Sequence, residues 1–131
     1  MQQMSRAAVS SLVWGIYLIV LSLTVFAIPD VILKLIGLEP HKDVWIYVAA
    51  LLAFNLAIYF IVNARSESTP GFRASVFMRY LAALCFVAFA ALQLARWNIV
   101  VFAVPDALGA TWTALALRAD SRAKVPAAVA A

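Results

Sequence analysis

Two ionisable residues, Asp106 and Arg79, stand inside apolar stretches of this 131-residue sequence. A carboxylate or a guanidinium in an apolar medium is costly unless it is paired or hydrated or, for the acid, protonated. The two residues therefore predict a polar site within an apolar protein. Such a site is either a proton-coupled or ligand-coupled pathway or a structural ion pair that fixes the register of the helices.

Two polar residues in another apolar stretch extend this candidate site. Asn55 and Tyr59 are one helical turn apart, and we expect an amide in hydrocarbon to turn inward and bond across helices. The sequence thus predicts a network of Asp106, Arg79, Asn55 and Tyr59, which binds a ligand or holds the helices together. We favour the structural role, because a transporter is expected to need more polar groups than one acid, one base and one amide. An alternative is that Arg79 extends to the lipid headgroups without meeting Asp106.

Other sites for chemistry find little support in the sequence. His41 stands between Glu39 and Asp43 in a short polar turn, for which a solvated turn is a better interpretation than a metal site. It is the only histidine, and it is distant from Asp106 in the sequence. The serine and threonine residues therefore form no catalytic arrangement of nucleophile, histidine and acid. Cys85 is the only cysteine, and four glycines form no phosphate loop. We predict no catalytic residue, no metal site and no cofactor.

The composition determines which elements position these residues. Hydrophobic residues make up 66% of the chain and charged residues 12%, against about half and about a quarter in soluble domains. A helical membrane span needs about 20 residues, which allows four spans in a single domain, 1–131. We predict an all-α, integral membrane four-helix bundle with spans at 10–28, 44–64, 73–95 and 98–117. A cleaved secretory signal is the alternative for the first stretch, which is longer than the usual apolar core of such signals.

The segments between the spans carry clear boundary signals. Residues 31–38 are too few to cross a bilayer, so we predict a short helix lying along the membrane interface. Asp43 is expected to cap the second long helix, and Thr69 followed by Pro70 to begin the third. We expect the tail, 118–131, to be frayed.

Small and polar residues recur at helical spacing within the spans. Such stripes let helices approach closely inside a membrane, so we expect them to face the bundle interior. The first stripe is Ser11, Gly15, Leu18 and Ser22; the third span contributes Arg79, Ala82, Ala83, Phe86, Ala90 and Gln93; the fourth contributes Phe102, Ala103, Asp106, Gly109, Ala110, Thr113 and Leu117. Trp14, Trp45, Trp97 and Trp112 are predicted to lie at the membrane interfaces.

Basic residues stand at the span ends rather than in one patch, which argues against nucleic-acid binding. Seven Lys and Arg residues fall on the side of the N-terminus and three on the other side. By the positive-inside rule, both termini are predicted to be cytoplasmic in a bacterial cytoplasmic (inner) membrane.

The layout of residues 28–40, with Ile-Pro-Asp at 28–30 and Leu-Ile-Gly-Leu-Glu-Pro at 35–40, resembles small bacterial membrane proteins of the DoxX-like type. The resemblance implies a four-helix bundle with a short segment after the first helix. Some members are associated with quinone-linked oxidoreductase complexes as membrane subunits, although no motif here carries a redox centre. Small multidrug transporters are also four-span chains, but they depend on a glutamate that the first span of this chain lacks.

The sequence leaves two hypotheses for function. The first is a non-catalytic accessory or assembly subunit of a membrane complex, because catalytic residues are missing and Ala-rich helices suit close packing. The alternative is a binder or carrier of a small hydrophobic molecule, a quinone or a lipid, in a pocket beside Asp106. Short helices bury limited surface among themselves, so we expect a homo-oligomer or a membrane protein partner within the lipid bilayer.

Overall fold

The computed structural model describes residues 3–39 and 43–129, and side chains as far as residue 123. Within these ranges the chain is helical and contains no strand, which confirms the all-α prediction. The helices are α1 (Arg6–Ala27), α2 (Pro29–Leu35), α3 (Val44–Arg65), α4 (Thr69–Ala91) and α5 (Ala103–Val129), with a 3-10 segment (Trp97–Phe102) leading into α5.

Four of these elements have the length and composition of membrane-spanning helices. α1, α3 and α4 have 22, 22 and 23 residues with mean hydropathies of 2.1, 2.2 and 1.8. The 3-10 segment and the first part of α5 form the fourth, Trp97–Ala123, with a mean hydropathy of 1.6. The chain therefore has the make-up of a multi-pass membrane protein.

α1 lies at the centre of the bundle. It packs along α3 on one side and along α5 on the other, and α4 packs on α5, whereas α3 has at most slight contact with α4 and α5. The predicted stripe of Ser11, Gly15, Leu18 and Ser22 is buried, as expected. A Cβ at Gly15 would come within 2.8 Å of Ile61 on α3, so only glycine permits this approach.

The side of α3 that meets α1 is also built from small residues. Ala50, Ala57 and Ala64 are buried, and their spacing of seven residues, two helical turns, keeps them on one face. Phe60 packs beside them against Trp14 and Leu18 of α1. The opposite face of α3 is consequently left on the outside of the bundle.

Hydrogen bonds join three segments at the end of the bundle where α1 and α4 begin, called the near end below. Glu67, in the turn between α3 and α4, accepts bonds from the Ser5 amide at 2.8 Å and from the Ser5 hydroxyl at 2.5 Å. On the other side, Asp120 of α5 accepts from the Ala7 amide at 3.0 Å. These carboxylates satisfy amides at the start of α1 that have no partner within the helix.

The structure differs from the sequence-based boundaries at two places here. The tail that we expected to be frayed is helical as far as Val129, and residues 130–131 lie outside the described range. The bond from the start of α1 to Asp120 gives this extension a partner. The cap of α4 is Ser68, whose side chain accepts from the Gly71 amide, rather than Thr69. Asp43 caps α3 as predicted, accepting from the Trp45 amide.

The opposite end of the bundle, where α1 and α4 finish, is called the far end. It holds α2, the short helix that the sequence predicted. Gly37 ends α2 with φ +75, and a Cβ there would lie 3.1 Å from Arg96 and Asn98. The predicted turn at His41 lies outside the described residues.

Pro105 does not interrupt the fourth span. α5 begins at Ala103, so Pro105 falls in the first helical turn, where a missing N–H removes no helical hydrogen bond. Asp106 lies in the same first turn, where the helix dipole favours a negative charge.

Candidate functional site: a buried arginine at mid-bundle

Among the side chains that the structure describes, Arg79 is the one buried cation. It stands ten residues into the 23-residue helix α4, or about 15 Å from its start, so its backbone lies at the middle of the span. Only 4% of the residue is exposed. The guanidinium therefore does not extend to the headgroups, and the alternative in which Arg79 reaches the membrane surface does not describe this structure.

Two helices provide direct contacts for this guanidinium. Its Cζ lies 3.8 Å from the centroid of the Trp14 ring on α1, which is a cation–π geometry. Its Nη1 donates a hydrogen bond of 3.2 Å to the Thr113 hydroxyl on α5. Arg79 thus connects α4 to both of the other helices at the centre of the bundle.

Thr113 is itself held in place by its neighbours. Its hydroxyl donates to the Gly109 carbonyl at 3.0 Å, which leaves the oxygen lone pairs available as acceptors. Ser10 of α1 lies within hydrogen-bond distance of the same oxygen, at 3.1 Å. The hydroxyl is therefore oriented to accept from Arg79.

Gly109 provides the space that Arg79 occupies. A Cβ at this position would overlap Nη2 of Arg79 and would lie 3.2 Å from the Trp14 ring. The guanidinium is therefore enclosed between an aromatic face on α1 and a bare stretch of backbone on α5. Any larger residue at 109 requires the arginine to move.

Asp106 is the acid that the sequence paired with Arg79. It is half-buried, one turn before Gly109, and close enough to Arg79 and Tyr17 to interact with both electrostatically. It forms no direct bond with the guanidinium, because Nη1 bonds Thr113 while Nε and Nη2 have no hydrogen-bond partner. The structure brings these two residues together as neighbours rather than as a closed ion pair.

The other two residues of the predicted network lie elsewhere. Asn55 and Tyr59 are exposed on the side of α3 that faces away from α1, and 51% of Tyr59 is accessible. α3 packs on α1 and not along α4 or α5, so neither side chain approaches Arg79. Two of the four predicted residues therefore meet, and two lie on the outer surface.

Trp14 was predicted to lie at a membrane interface, but the structure places it beside Arg79. Only 9% of it is exposed, and it belongs to the buried core between α1 and α3. The available signal was its place one turn from Ser10 and Leu18, on the buried side of α1. Trp45 and Trp97, exposed near the ends of their elements, fit the interface prediction.

Two cavities lie away from Arg79 and Asp106. One of about 440 Å³ opens at the near end, with Glu67, Arg73, Arg118 and Asp120 on its walls. An apolar groove of about 590 Å³ runs between α2 and α3 at the far end. Neither is lined by Arg79 or Asp106. Among the described residues, no group of three His, Cys, Asp or Glu side chains could hold a metal ion.

The geometry suits a structural centre more than a reaction centre. A guanidinium enclosed by an aromatic ring, a hydroxyl and a glycine fixes the relative register of α1, α4 and α5. Nε and Nη2 of Arg79 are buried without a hydrogen-bond partner. No known protein family, curated protein or solved structure matches this chain.

Proposed function

We propose that the protein is a non-catalytic accessory or assembly subunit of a membrane complex, located in the bacterial cytoplasmic membrane with both termini in the cytoplasm. The observation that carries this proposal is the exposed amide of Asn55 on the outer face of α3. The likeness of residues 28–40 to DoxX-like proteins agrees with it and stays a prediction.

Asn55 lies at the depth where hydrocarbon is expected. It is about 16 Å from Val44 at one end of α3 and about 15 Å from Arg65 at the other. The hydrocarbon core of a bilayer is about 30 Å thick, so an exposed amide here has no water to bond. Association with another transmembrane helix that supplies a polar group removes this cost.

The Arg79 centre supports the same function by a different route. Trp14, Thr113 and Gly109 hold the guanidinium inside three helices of one chain. These contacts hold α1, α4 and α5 together, and α3 packs on α1 through its buried alanine residues. A rigid frame with one polar helix face outward suits a protein that binds another subunit.

The proposed orientation is based on the charges at the two ends. Arg6, Arg65, Arg73 and Arg118 lie at the near end, and Lys34 and Arg96 at the far end. Arg79 was counted with the near side, but it lies at mid-helix, which leaves six basic residues against three. The near end therefore still carries the excess and is assigned to the cytoplasm.

A second candidate function has one observation in its favour. Nε and Nη2 of Arg79 are buried without a partner, and Asp106 is within electrostatic reach. A small hydrophobic molecule with a carbonyl or carboxyl group, such as a quinone or a lipid, could accept from these donors. Binding that depends on pH and disappears in Asp106→Asn would support this function, and binding indifferent to that change would count against it.

Native mass spectrometry of the protein, extracted gently from its own membrane, tests the first proposal. We expect an assembly that contains at least one chain of a different protein, because a homo-oligomer alone is not an accessory subunit. A single chain without any protein partner under these conditions contradicts it. A single chain that retains a discrete apolar molecule would favour the binder instead.

A further inference from the structure

The outer face of α3 carries a regular pattern. Val48, Leu52, Asn55, Tyr59 and Val62 follow one another at spacings of four, three, four and three residues, and we call them the α3 seam. At about 100° per residue the seam lies opposite Ala57, the centre of the face that meets α1. Leu52 is 63% exposed and Val62 57%, whereas Val48 is half-buried, so the structure leaves the seam open from Leu52 to Val62.

This alternation of three and four residues is that of a helix pair. Residues at such spacing stay in line along a partner helix in a left-handed crossing of about 20°. The exposed face of α1 has the same spacing, at Val9, Val13, Ile16, Val20 and Leu23, so the feature that distinguishes the seam is the amide at its centre. Asn55 is the middle residue of the seam and lies close to the middle of α3.

Three hydroxyls on the other long helices are satisfied within the chain. The Tyr80 hydroxyl on α4 lies 2.6 Å from the Thr111 hydroxyl on α5. Thr111 also donates to the Ala107 carbonyl at 2.8 Å, and Thr24 on α1 donates to the Val20 carbonyl at 2.7 Å. These hydroxyls need nothing from outside. The seam amide, in contrast, is fully on the outer surface at mid-helix, which makes it a group that a partner could bond.

We propose that the α3 seam binds the α3 seam of a second copy of this chain. The inference rests on the proposed function, because it names the partner of the same surface. Copies inserted with one topology have parallel α3 helices, and a two-fold axis along the membrane normal places Asn55 against its counterpart at equal depth. An amide carries both a donor and an acceptor, so it bonds its own copy. A different protein would have to supply a polar group at this same depth.

Cysteine cross-linking in native membranes tests this arrangement. The full-length chain carries Cys85→Ser and one new cysteine, either Leu52→Cys or Tyr59→Cys in the seam. Leu84→Cys on α4 is the matched control, because Leu84 is 65% exposed against 63% for Leu52. With copper phenanthroline as the oxidant, we expect the seam variants to form disulfide-linked dimers. The Leu84→Cys control should form no such dimer.

The amide is tested by a pair of substitutions at one position. Asn55→Leu should lose the dimer in native mass spectra and in cross-linking, whereas Asn55→Gln keeps a donor and an acceptor and should retain it. Because Asn55 is exposed within the chain, neither change disturbs the fold of the subunit. Dimers that persist unchanged in Asn55→Leu would overturn the amide pairing.

The remaining outcomes separate this inference from the proposed function. Seam cysteines that cross-link to a different protein overturn the second copy but support an accessory subunit. Seam cysteines that cross-link no more than Leu84→Cys, with a single chain in native mass spectra, overturn both.

Discussion

Arg79 and Asn55 are two polar residues at similar depth in neighbouring helical hairpins, and the fold treats them in opposite ways. Arg79 is 4% exposed, with contacts from α1 and α5. Asn55 is exposed on α3, directly across the helix from the packed alanine face. The comparison shows that the fold encloses one polar residue of an apolar span and leaves another open on the outer surface. Packing of the backbone decides which of the two is enclosed.

Arg79→Ala should produce the largest effect. It removes the buried cation–π contact and the bond to Thr113 and leaves a void, which together cost about 2–4 kcal/mol of unfolding free energy. Arg73→Ala on the same helix is the control, because Arg73 is exposed and should change stability by less than about 0.5 kcal/mol. Unfolding in mixed detergent micelles measures both. Equal effects of the two changes would show that Arg79 is not a structural centre.

Gly109→Ala should be next in size. The new Cβ overlaps the arginine, so the variant should lose about 1–3 kcal/mol through overpacking. The same substitution made in the Arg79→Ala background should cost much less, because the clashing group is gone. Thermal unfolding of the four proteins gives this comparison. A cost that is unchanged in that background would assign the clash to the Trp14 ring instead.

Asp106 and Arg79 should be coupled by an intermediate amount. Asp106→Ala and Arg79→Ala should each destabilise the protein, and the double variant should cost less than the sum, with a coupling of about 1 kcal/mol. The expected value is modest because the two side chains interact without a direct hydrogen bond. A double-mutant cycle at fixed detergent concentration measures it. Strict additivity would separate Asp106 from the centre.

Asn55→Leu should have the smallest effect on the isolated subunit. Its side chain is exposed, so the unfolding free energy of the monomer should change by less than about 0.5 kcal/mol at high dilution in detergent. The comparison with Arg79→Ala is then sharpest, since both remove a mid-helix polar group. A loss comparable to that of Arg79→Ala would mean that Asn55 also supports the fold of one chain.

Much of the architecture could be predicted from local signals. Long apolar runs with basic and polar residues between them predict the helices, and the side chain of Asp43 predicts the start of α3. The stripe through Gly15 on α1 predicts a close helix contact because small residues at helical spacing have few other uses. Cap assignment was less certain at Ser68 and Thr69, since adjacent hydroxyl residues offer the same bond.

The candidate site was only partly predictable, because it depends on which helices are neighbours. Arg79 and Asp106 could each be identified as charged residues within apolar stretches, and the structure places them as neighbours. The rule that a polar residue turns inward placed Asn55 in the same site, although Ala50, Ala57 and Ala64 already form an alternative packing face. Trp14 was assigned by its usual role at interfaces, whereas its burial follows from Phe60 of α3 and Arg79 of α4, which both pack against it. The choice of which helices pack against each other cannot be predicted from the sequence of any single helix.

The central place of α1 has a consequence for how the protein is made. α1 is synthesised before α3 and contacts it early, but the other side of α1 waits for α5, which is synthesised after both. Arg79 is synthesised 34 residues before Thr113, its hydrogen-bond partner. When α4 enters the membrane, the arginine therefore has the Trp14 ring available but not yet the hydroxyl or the glycine of α5. Insertion of α5 completes the enclosure of the charge.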